Sequence, residues 1–175
     1  KIHQFIPQTG NVYLTIGDQA SRQITVEEKL YCKELSHGDV KIMYYPVVFS
    51  RLSGHEFYVI KIIGSTIMPR NFDGYATGDG DSDVNDGYII LPHHGESVDD
   101  YMLDITSDDI PSDWYTTNKK GVRKLKKTYE ARIPQKIYVT QSGAYSPTEP
   151  LDGMGYMEAV FVPSPLMYDP TARAI

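Results

Sequence analysis

Short segments in which apolar and polar residues alternate constrain the fold more than any other feature of this sequence. Near the start, Val12, Leu14 and Ile16 are separated by Tyr13 and Thr15. Successive side chains of a strand point to opposite faces of a sheet, so a period of two indicates a strand with one buried face. The segment 55–63 is apolar at most positions, which predicts a strand buried on both faces. Further segments that predict strands are 40–44, 88–91, 101–105, 136–140 and 156–162.

About seven strands at uneven spacing predict an all-β fold. The architecture that we expect is an antiparallel β-sandwich or barrel, jelly-roll-like, with long loops. Thr25 followed by Glu28 has the spacing of a helix capping box, and Gly38 lies where a helix could end. A short helix is therefore predicted near residues 25–35.

The length of 175 residues suits one domain with a substantial core. We expect a single β-rich domain over residues 1–162, with a long loop rich in Asp and Gly at 64–87. Residues 163–175 are predicted to form an extended C-terminal arm, because the prolines that recur there cannot donate to a ladder. The apolar side chains of the arm that we expect to bind a partner are Leu166, Met167 and Tyr168.

Closely spaced oxygen-bearing side chains in the loop 64–87 form a candidate calcium site, because a hard cation relieves the repulsion between neighbouring carboxylates. The opening of the run resembles the calcium loops of EF-hand proteins. It then departs from them, since Val84 replaces the required glycine and Ile90 the bidentate glutamate. The alternative is a solvated hairpin tip in which Asp and Gly provide turn geometry. The candidate ligands are Asp79, Asp81, Asp83, Asn85 and Asp86.

A second cluster of metal-ligating residue types lies in the segment 92–99, where imidazole and carboxylate groups that suit zinc are close in sequence. Adjacent residues of a strand face opposite ways, so the two neighbouring histidines cannot easily share one ion there. An exposed polar turn is therefore favoured over a metal site. The residues concerned are His93, His94, Glu96 and Asp99.

Charge is segregated along the second half of the chain, where an acidic stretch over 96–113 precedes a basic run over 119–127. The basic run predicts either a contact with an acidic partner surface or a solvated hairpin guarded by lysines. The formal net charge of −6 argues against nucleic acid as a general partner. The basic residues that we expect to contact a partner are Lys119, Lys120, Arg123, Lys124, Lys126 and Lys127.

Several kinds of segment are missing from the sequence. No apolar run approaches the ~20 residues of a membrane helix. No glycine-rich phosphate-binding motif is present, and we expect no cofactor other than calcium. The chain begins at Lys1, which leaves its localisation open.

The function that we expect is that of a non-enzymatic structural or assembly subunit, which contacts other protein subunits in an oligomer or larger assembly. The general texture resembles tailed-phage structural proteins, which favours a virion component associated with the capsid, neck or tail. One alternative is a calcium-assisted ligand- or carbohydrate-binding β-sandwich, in which some of the 14 tyrosines stack on sugars. Another is a hydrolase, but no pattern places two carboxylates at the separation that such chemistry requires.

Overall fold

The fold is built from strands, as the alternating pattern predicts. The computed structural model describes residues 11–70, 84–107 and 110–174. In this part of the chain, the helical elements are α1 (Lys127–Glu130) and two 3₁₀ turns at Val98–Tyr101 and Ser112–Trp114. The strands are β1 (Val12–Thr15), β2 (Ile24–Thr25), β3 (Tyr44–Phe49), β4 (Glu56–Ile63), β5 (Thr66–Pro69), β6 (Val84–Ile90), β7 (Tyr115–Thr117), β8 (Arg123–Leu125), β9 (Gln135–Thr140), β10 (Tyr145–Ser146) and β11 (Tyr156–Pro163).

Nine of these strands form one antiparallel sheet in the order β10-β9-β11-β6-β4-β3-β1-β2, with β5 paired to β4 as well. The remaining strands, β7 and β8, form a separate hairpin. In the centre of the sheet, β4 and β6 pair from Tyr58 opposite Ile89 to Ile63 opposite Val84. The prediction of an antiparallel all-β fold is confirmed, and a sandwich-like arrangement fits it. The barrel alternative is not supported, since the described strands form an open sheet.

The larger core covers one face of the sheet. Its side chains come from strands as far apart in the sheet as β1, which contributes Leu14, and β9, which contributes Val139. The sheet must therefore curl to bring both ends to one core. An isolated bridge between Thr66 and Ala144 connects the start of β5 to the turn before β10.

A second core covers the opposite face of the central strands. Phe57 and Val59 of β4 point into it, whereas Tyr58 and Ile60 point into the larger core. The 3₁₀ turn at Val98–Tyr101 packs over this second face. The prediction that the segment 55–63 is a strand buried on both faces is confirmed, because alternate side chains of β4 enter different cores.

The helix predicted near residues 25–35 is wrong. Thr25 ends β2, and its hydroxyl accepts a hydrogen bond from Glu27 N at 3.1 Å instead of capping a helix. Farther along, Cys32 N donates to Ile42 O at 2.8 Å, and Tyr44 N donates to Leu30 O at 2.9 Å. Pairing with a distant stretch of chain thus replaces the local helical bonds that the capping-box spacing indicates.

The predicted loop 64–87 is shorter than expected at both ends. β5 occupies 66–69 and β6 begins at Val84, and each pairs with β4. Residues 71–83 lie outside the described residues. The predicted strand at 101–105 is also wrong, because Tyr101 ends the 3₁₀ turn that Ser97 caps through a hydrogen bond from Asp99 N.

The C-terminal arm lies against its own domain. Leu166 packs beside the second core, and Tyr168 is buried in a smaller cluster with Trp114 and Leu125. Asp169 is fully buried, and its carboxylate accepts a hydrogen bond of 2.6 Å from Ser50 Oγ, just after β3. The arm is therefore part of the folded domain, and removal of residues 163–175 would expose both clusters.

We expect Tyr168→Ala to lower the free energy of unfolding by about 3 kcal/mol, because it leaves a cavity in a buried cluster. Urea denaturation of the purified protein measures this change. Leu151→Ala is the control, since Leu151 is fully exposed and its truncation should cost under about 0.5 kcal/mol. Equal stability of the two variants would contradict the docking of the arm.

A glycine in the middle of the sheet allows β6 and β11 to pack closely. A Cβ atom added at Gly87 would lie 2.4 Å from a ring carbon of Phe161 and 2.6 Å from Val162 O. We expect Gly87→Ala to destabilise the fold by roughly 1–3 kcal/mol through overpacking. Thermal and urea unfolding give the measurement.

The matched control is Gly17→Ala, since a Cβ at Gly17 would first meet the flexible Ser21 hydroxyl at 3.1 Å. We expect this variant to remain within about 1 kcal/mol of the parent protein. If Gly87→Ala were as stable as Gly17→Ala, the close packing of β6 on β11 would be disproved.

Candidate functional site

A buried carboxylate at the start of β4 is the centre of a polar network. Glu56 is 5% exposed, and its two oxygens bind different partners. Arg22, in the loop before β2, donates to Oε1. His93 is in the turn after β6, and its Nε2 lies 3.0 Å from Oε2. Two segments that are distant in sequence are thus joined through one side chain.

Charge explains why this network holds together. Burial favours the neutral acid, but the hydrogen bonds from Arg22 and His93 outweigh burial and lower the pKa of Glu56 below its ordinary value. Burial likewise works against the charge of Arg22, yet its partner Glu56 raises the pKa of the guanidinium overall. Both groups are therefore charged at neutral pH, and each compensates the other's desolvation.

A cluster of two histidines and one glutamate lies beside this network. His55 immediately precedes β4, whereas His93 and Glu96 belong to the turn after β6. The His55 and His93 rings stack with their centroids 3.7 Å apart and their planes 11° from parallel. One ring nitrogen of each histidine and one carboxylate oxygen of Glu96 all lie within 4.8 Å of one another.

The glutamate of this cluster is held in place by hydrogen bonds. His93 N donates to Glu96 Oε2 at 2.8 Å, and the Tyr101 hydroxyl donates to the same oxygen. Glu96 N in turn donates to His93 O at 3.0 Å, which closes the turn. The bond from Tyr101 lowers the pKa of Glu96, so the carboxylate is anionic and available as a ligand.

Imidazole nitrogen and carboxylate oxygen are the ligand atoms that zinc and related divalent metals take in proteins. The cluster of His55, His93 and Glu96 could therefore hold a metal ion. The sequence prediction named two of its members, His93 and Glu96. It did not include His55, which the pairing of β4 with β6 brings to the turn.

The other members of the predicted zinc set are placed elsewhere. His94 is exposed and is not part of the cluster, although it lines the same cleft as His93. Asp99 is exposed in the 3₁₀ turn, where its backbone N–H donates to Ser97 Oγ at 3.3 Å. The expected polar turn is thus present, and one of its side chains, His93, contacts the buried Glu56.

Most of the candidate calcium site cannot be placed. Asp79, Asp81 and Asp83 lie outside the described residues. Asn85 and Asp86 are on β6, where Asp86 Oδ2 lies 3.8 Å from Arg70 Nη1. The structure does not test whether these five residues bind calcium.

A cleft of about 950 Å³ opens beside the Glu56 network. Its walls include Arg22, Glu56 and His93, together with Gln141 and Glu158. No Tyr, Phe or Trp is among the described residues that line it. The tyrosine stacking expected of a carbohydrate site is therefore missing from this cleft.

Most of the predicted basic run lies in the hairpin of β7 and β8, whereas Lys126 and Lys127 follow it at the start of α1. Lys119 and Lys120 are at its tip, and Arg123 instead packs over the Tyr115 ring, with its guanidinium carbon 4.6 Å from the ring centroid. The guanidinium also donates to Ser107 O at 3.1 Å. The exposed members of the run are Lys119, Lys120, Lys124, Lys126 and Lys127.

Sequence reasoning missed the buried polar residues of the site. Arg22, His55 and Glu56 carry no motif, and their contacts span 34 to 37 residues of chain. The sequence feature that indicates such a site is the pair His55 and Glu56 at the start of an otherwise apolar strand. Ionisable side chains that are buried with a strand require polar partners.

Comparison with known proteins gives no relative: no family model, no curated protein and no solved structure matches the chain. Within the described ranges, no helix has both the length and the apolar character needed to cross a membrane.

We expect Glu56→Gln to lower the free energy of unfolding by roughly 1–3 kcal/mol at pH 7, because Gln keeps the shape but leaves Arg22 without its counter-charge. The matched control is Glu158→Gln. Glu158 lies in the same cleft but forms an exposed pair with Lys136, which should contribute under about 1 kcal/mol.

The difference in unfolding free energy between the parent protein and Glu56→Gln should depend on pH. Because the folded state lowers the pKa of Glu56, its contribution is present above the ordinary value of 4.5 and is lost as the pH falls through the folded-state pKa. Urea denaturation between pH 7 and pH 3 should show the parent and Glu56→Gln converging at acid pH. A constant difference would show that the charge of Glu56 does not stabilise the fold.

Proposed function

We propose that this chain is a non-enzymatic structural subunit, which contacts other protein subunits in an oligomeric assembly. The observation that carries the proposal is a set of large apolar side chains on the outside of the segment 24–40. Val26 and Ile24 are 76% and 68% exposed. The other large apolar residues exposed in this segment are Leu30, Tyr31 and Val40.

The position of this segment supports a role in protein contacts. Among the described strands, β2 is the last at one end of the sheet, and an edge strand of this kind can pair with a further strand or contact an apolar surface. The segment covers a small core of its own, in which Cys32 and Ile42 are buried. Its inward side chains pack in that core, and its outward apolar side chains would be buried only by a surface outside the domain.

Two residues of the segment lie close together in space. Tyr31 and Val40 line the same shallow depression of about 420 Å³ with Met43 and Met68. Asp39, Lys41 and Ser142 also line it, and a mixture of apolar and polar side chains with an exposed aromatic ring is compatible with a protein contact site. We propose a second copy of this chain as the occupant, because a self-complementary surface pairs two copies, and a second contact surface then extends the assembly.

The kind of assembly that we propose is a virion, in which the chain is a capsid-associated, neck or tail component of a phage. The all-β fold and the open sheet edge support a structural role. The exposed lysines of the hairpin of β7 and β8 offer a second, charged contact for a chain whose net charge is −6. The arm residues Leu166, Met167 and Tyr168 contribute less than the sequence suggests, since they already pack within the domain.

The double variant Ile24→Ser/Val26→Ser tests the proposal. We expect the parent protein to form oligomers that light scattering detects as concentration rises. The variant should associate at least about 10-fold more weakly, because two exposed apolar side chains contribute little to the fold but much to a contact. Its melting temperature should stay within a few degrees of the parent's.

Leu151→Ser/Met154→Ser is the matched control, since both residues are highly exposed but lie in the loop before β11. We expect this variant to associate as the parent does. A parent chain that remains monomeric at every concentration would refute self-association through the segment. Equal weakening by both double variants would refute the assignment of the contact to this surface.

A further inference from the structure

We propose that His55, His93 and Glu96 form a binding site for a divalent transition metal of the zinc class. The three ligands would be one nitrogen from each histidine and one oxygen from the glutamate. This inference is independent of the proposed assembly function, because it rests on the turn after β6 and not on the segment 24–40.

The hydrogen bonds of the two rings identify the ligand atoms. His55 Nε2 lies 3.3 Å from Leu91 O, and His93 Nε2 lies 3.0 Å from Glu56 Oε2. Both partners accept hydrogen bonds, so each Nε2 carries the ring proton. In the neutral imidazole the lone pair is then on Nδ1, which would be the atom that binds a metal.

This arrangement is the one that metal-binding histidines commonly have. A histidine ligand usually donates its second ring N–H to a carboxylate or a backbone carbonyl, which fixes the tautomer and the ring orientation. Here the Glu56 carboxylate accepts the hydrogen bond from His93, and Leu91 O accepts the hydrogen bond from His55. Glu56 is itself held by Arg22, so the outer shell of the site is anchored to the fold.

The third ligand is in a suitable position. Glu96 Oε2 accepts from the main-chain N of His93, which places the carboxylate near the backbone end of that residue. Nδ1 is the ring nitrogen nearer to the backbone. The Tyr101 hydroxyl donates to the same carboxylate and orients it, as outer-shell donors do for ligating acids.

Binding requires a small rearrangement. Tetrahedral zinc with bonds of about 2.0–2.1 Å holds its ligand atoms about 3.3 Å apart. One ring nitrogen of each histidine and one oxygen of Glu96 now lie within 4.8 Å of one another, so the ligand atoms must approach by up to about 1.5 Å. Because the stacked rings are only 11° from parallel, at least one ring must turn, and its Nε2 hydrogen bond must adjust, before both lone pairs point at one ion. Three protein ligands leave a fourth position for water.

Isothermal titration calorimetry of the full-length chain with Zn²⁺, after treatment with a chelator, tests the site. We expect one Zn²⁺ ion per chain and a rise in melting temperature, because a ligand that binds the folded state stabilises it. Titration with Co²⁺ should give the visible absorption of a low-symmetry site. Ca²⁺ and Mg²⁺ should not compete, since both prefer sets of oxygen ligands.

Two variants separate metal binding from folding. Glu96→Gln retains an acceptor for His93 N and for Tyr101, so we expect it to fold normally in chelator but to bind Zn²⁺ at least 10-fold more weakly. His55→Phe retains a flat ring against His93 and should also lose at least 10-fold. Glu56→Gln leaves the three ligands in place but also weakens the fold, and we expect it to bind Zn²⁺ roughly 10–100-fold more weakly.

His94→Ala and His37→Ala are the controls, because both histidines lie outside the cluster. We expect each to bind Zn²⁺ as the parent does. The proposal is overturned if the parent shows neither heat nor a melting shift with Zn²⁺. It is equally overturned if Glu96→Gln and His55→Phe bind like the parent, or if His94→Ala removes binding.

Discussion

Burial of the central strands on both faces is the constraint on which the rest of this structure depends. β4 directs Tyr58 and Ile60 into one core and Phe57 and Val59 into another, so neither face can be left to solvent. Curling of the sheet covers the first face. The 3₁₀ turn at Val98–Tyr101 and the C-terminal arm cover the second, which explains why the arm is folded back on its own domain.

The same constraint determines where the polar site can be. Glu56 is the first residue of β4 and His55 precedes it, at the point where the two-sided core stops and polar partners can approach. A carboxylate in that position is stable only with compensating charge, and Arg22 and His93 supply donors from two different loops. The cleft, the ion pair and the histidine stack are therefore consequences of where one buried strand begins.

Local patterns allowed the strands to be predicted, but not their partners. The alternation around Val12 and the apolar segment 55–63 have a period set by the backbone, which needs no distant information. The capping-box spacing at Thr25 failed because pairing of Leu30 and Cys32 with a stretch that begins ten residues later was stronger than local helix formation. For the same reason His93 and Glu96 were recognisable as ligand types, whereas His55 joins them only through the pairing of β4 with β6.

Arg22 links the polar site to the exposed segment. It lies two residues before Ile24, and its bond to Glu56 fixes the chain at the point where β2 starts. The loop before β2 is also held to β1, since Thr15 N donates to Gln23 O at 3.0 Å and Gln23 N donates to Thr15 Oγ1 at 2.9 Å. The buried carboxylate is therefore one of several groups that position the exposed segment. A ligand that pulls His93 would act on that carboxylate first, since Glu56 binds His93 and Arg22 through its two oxygens.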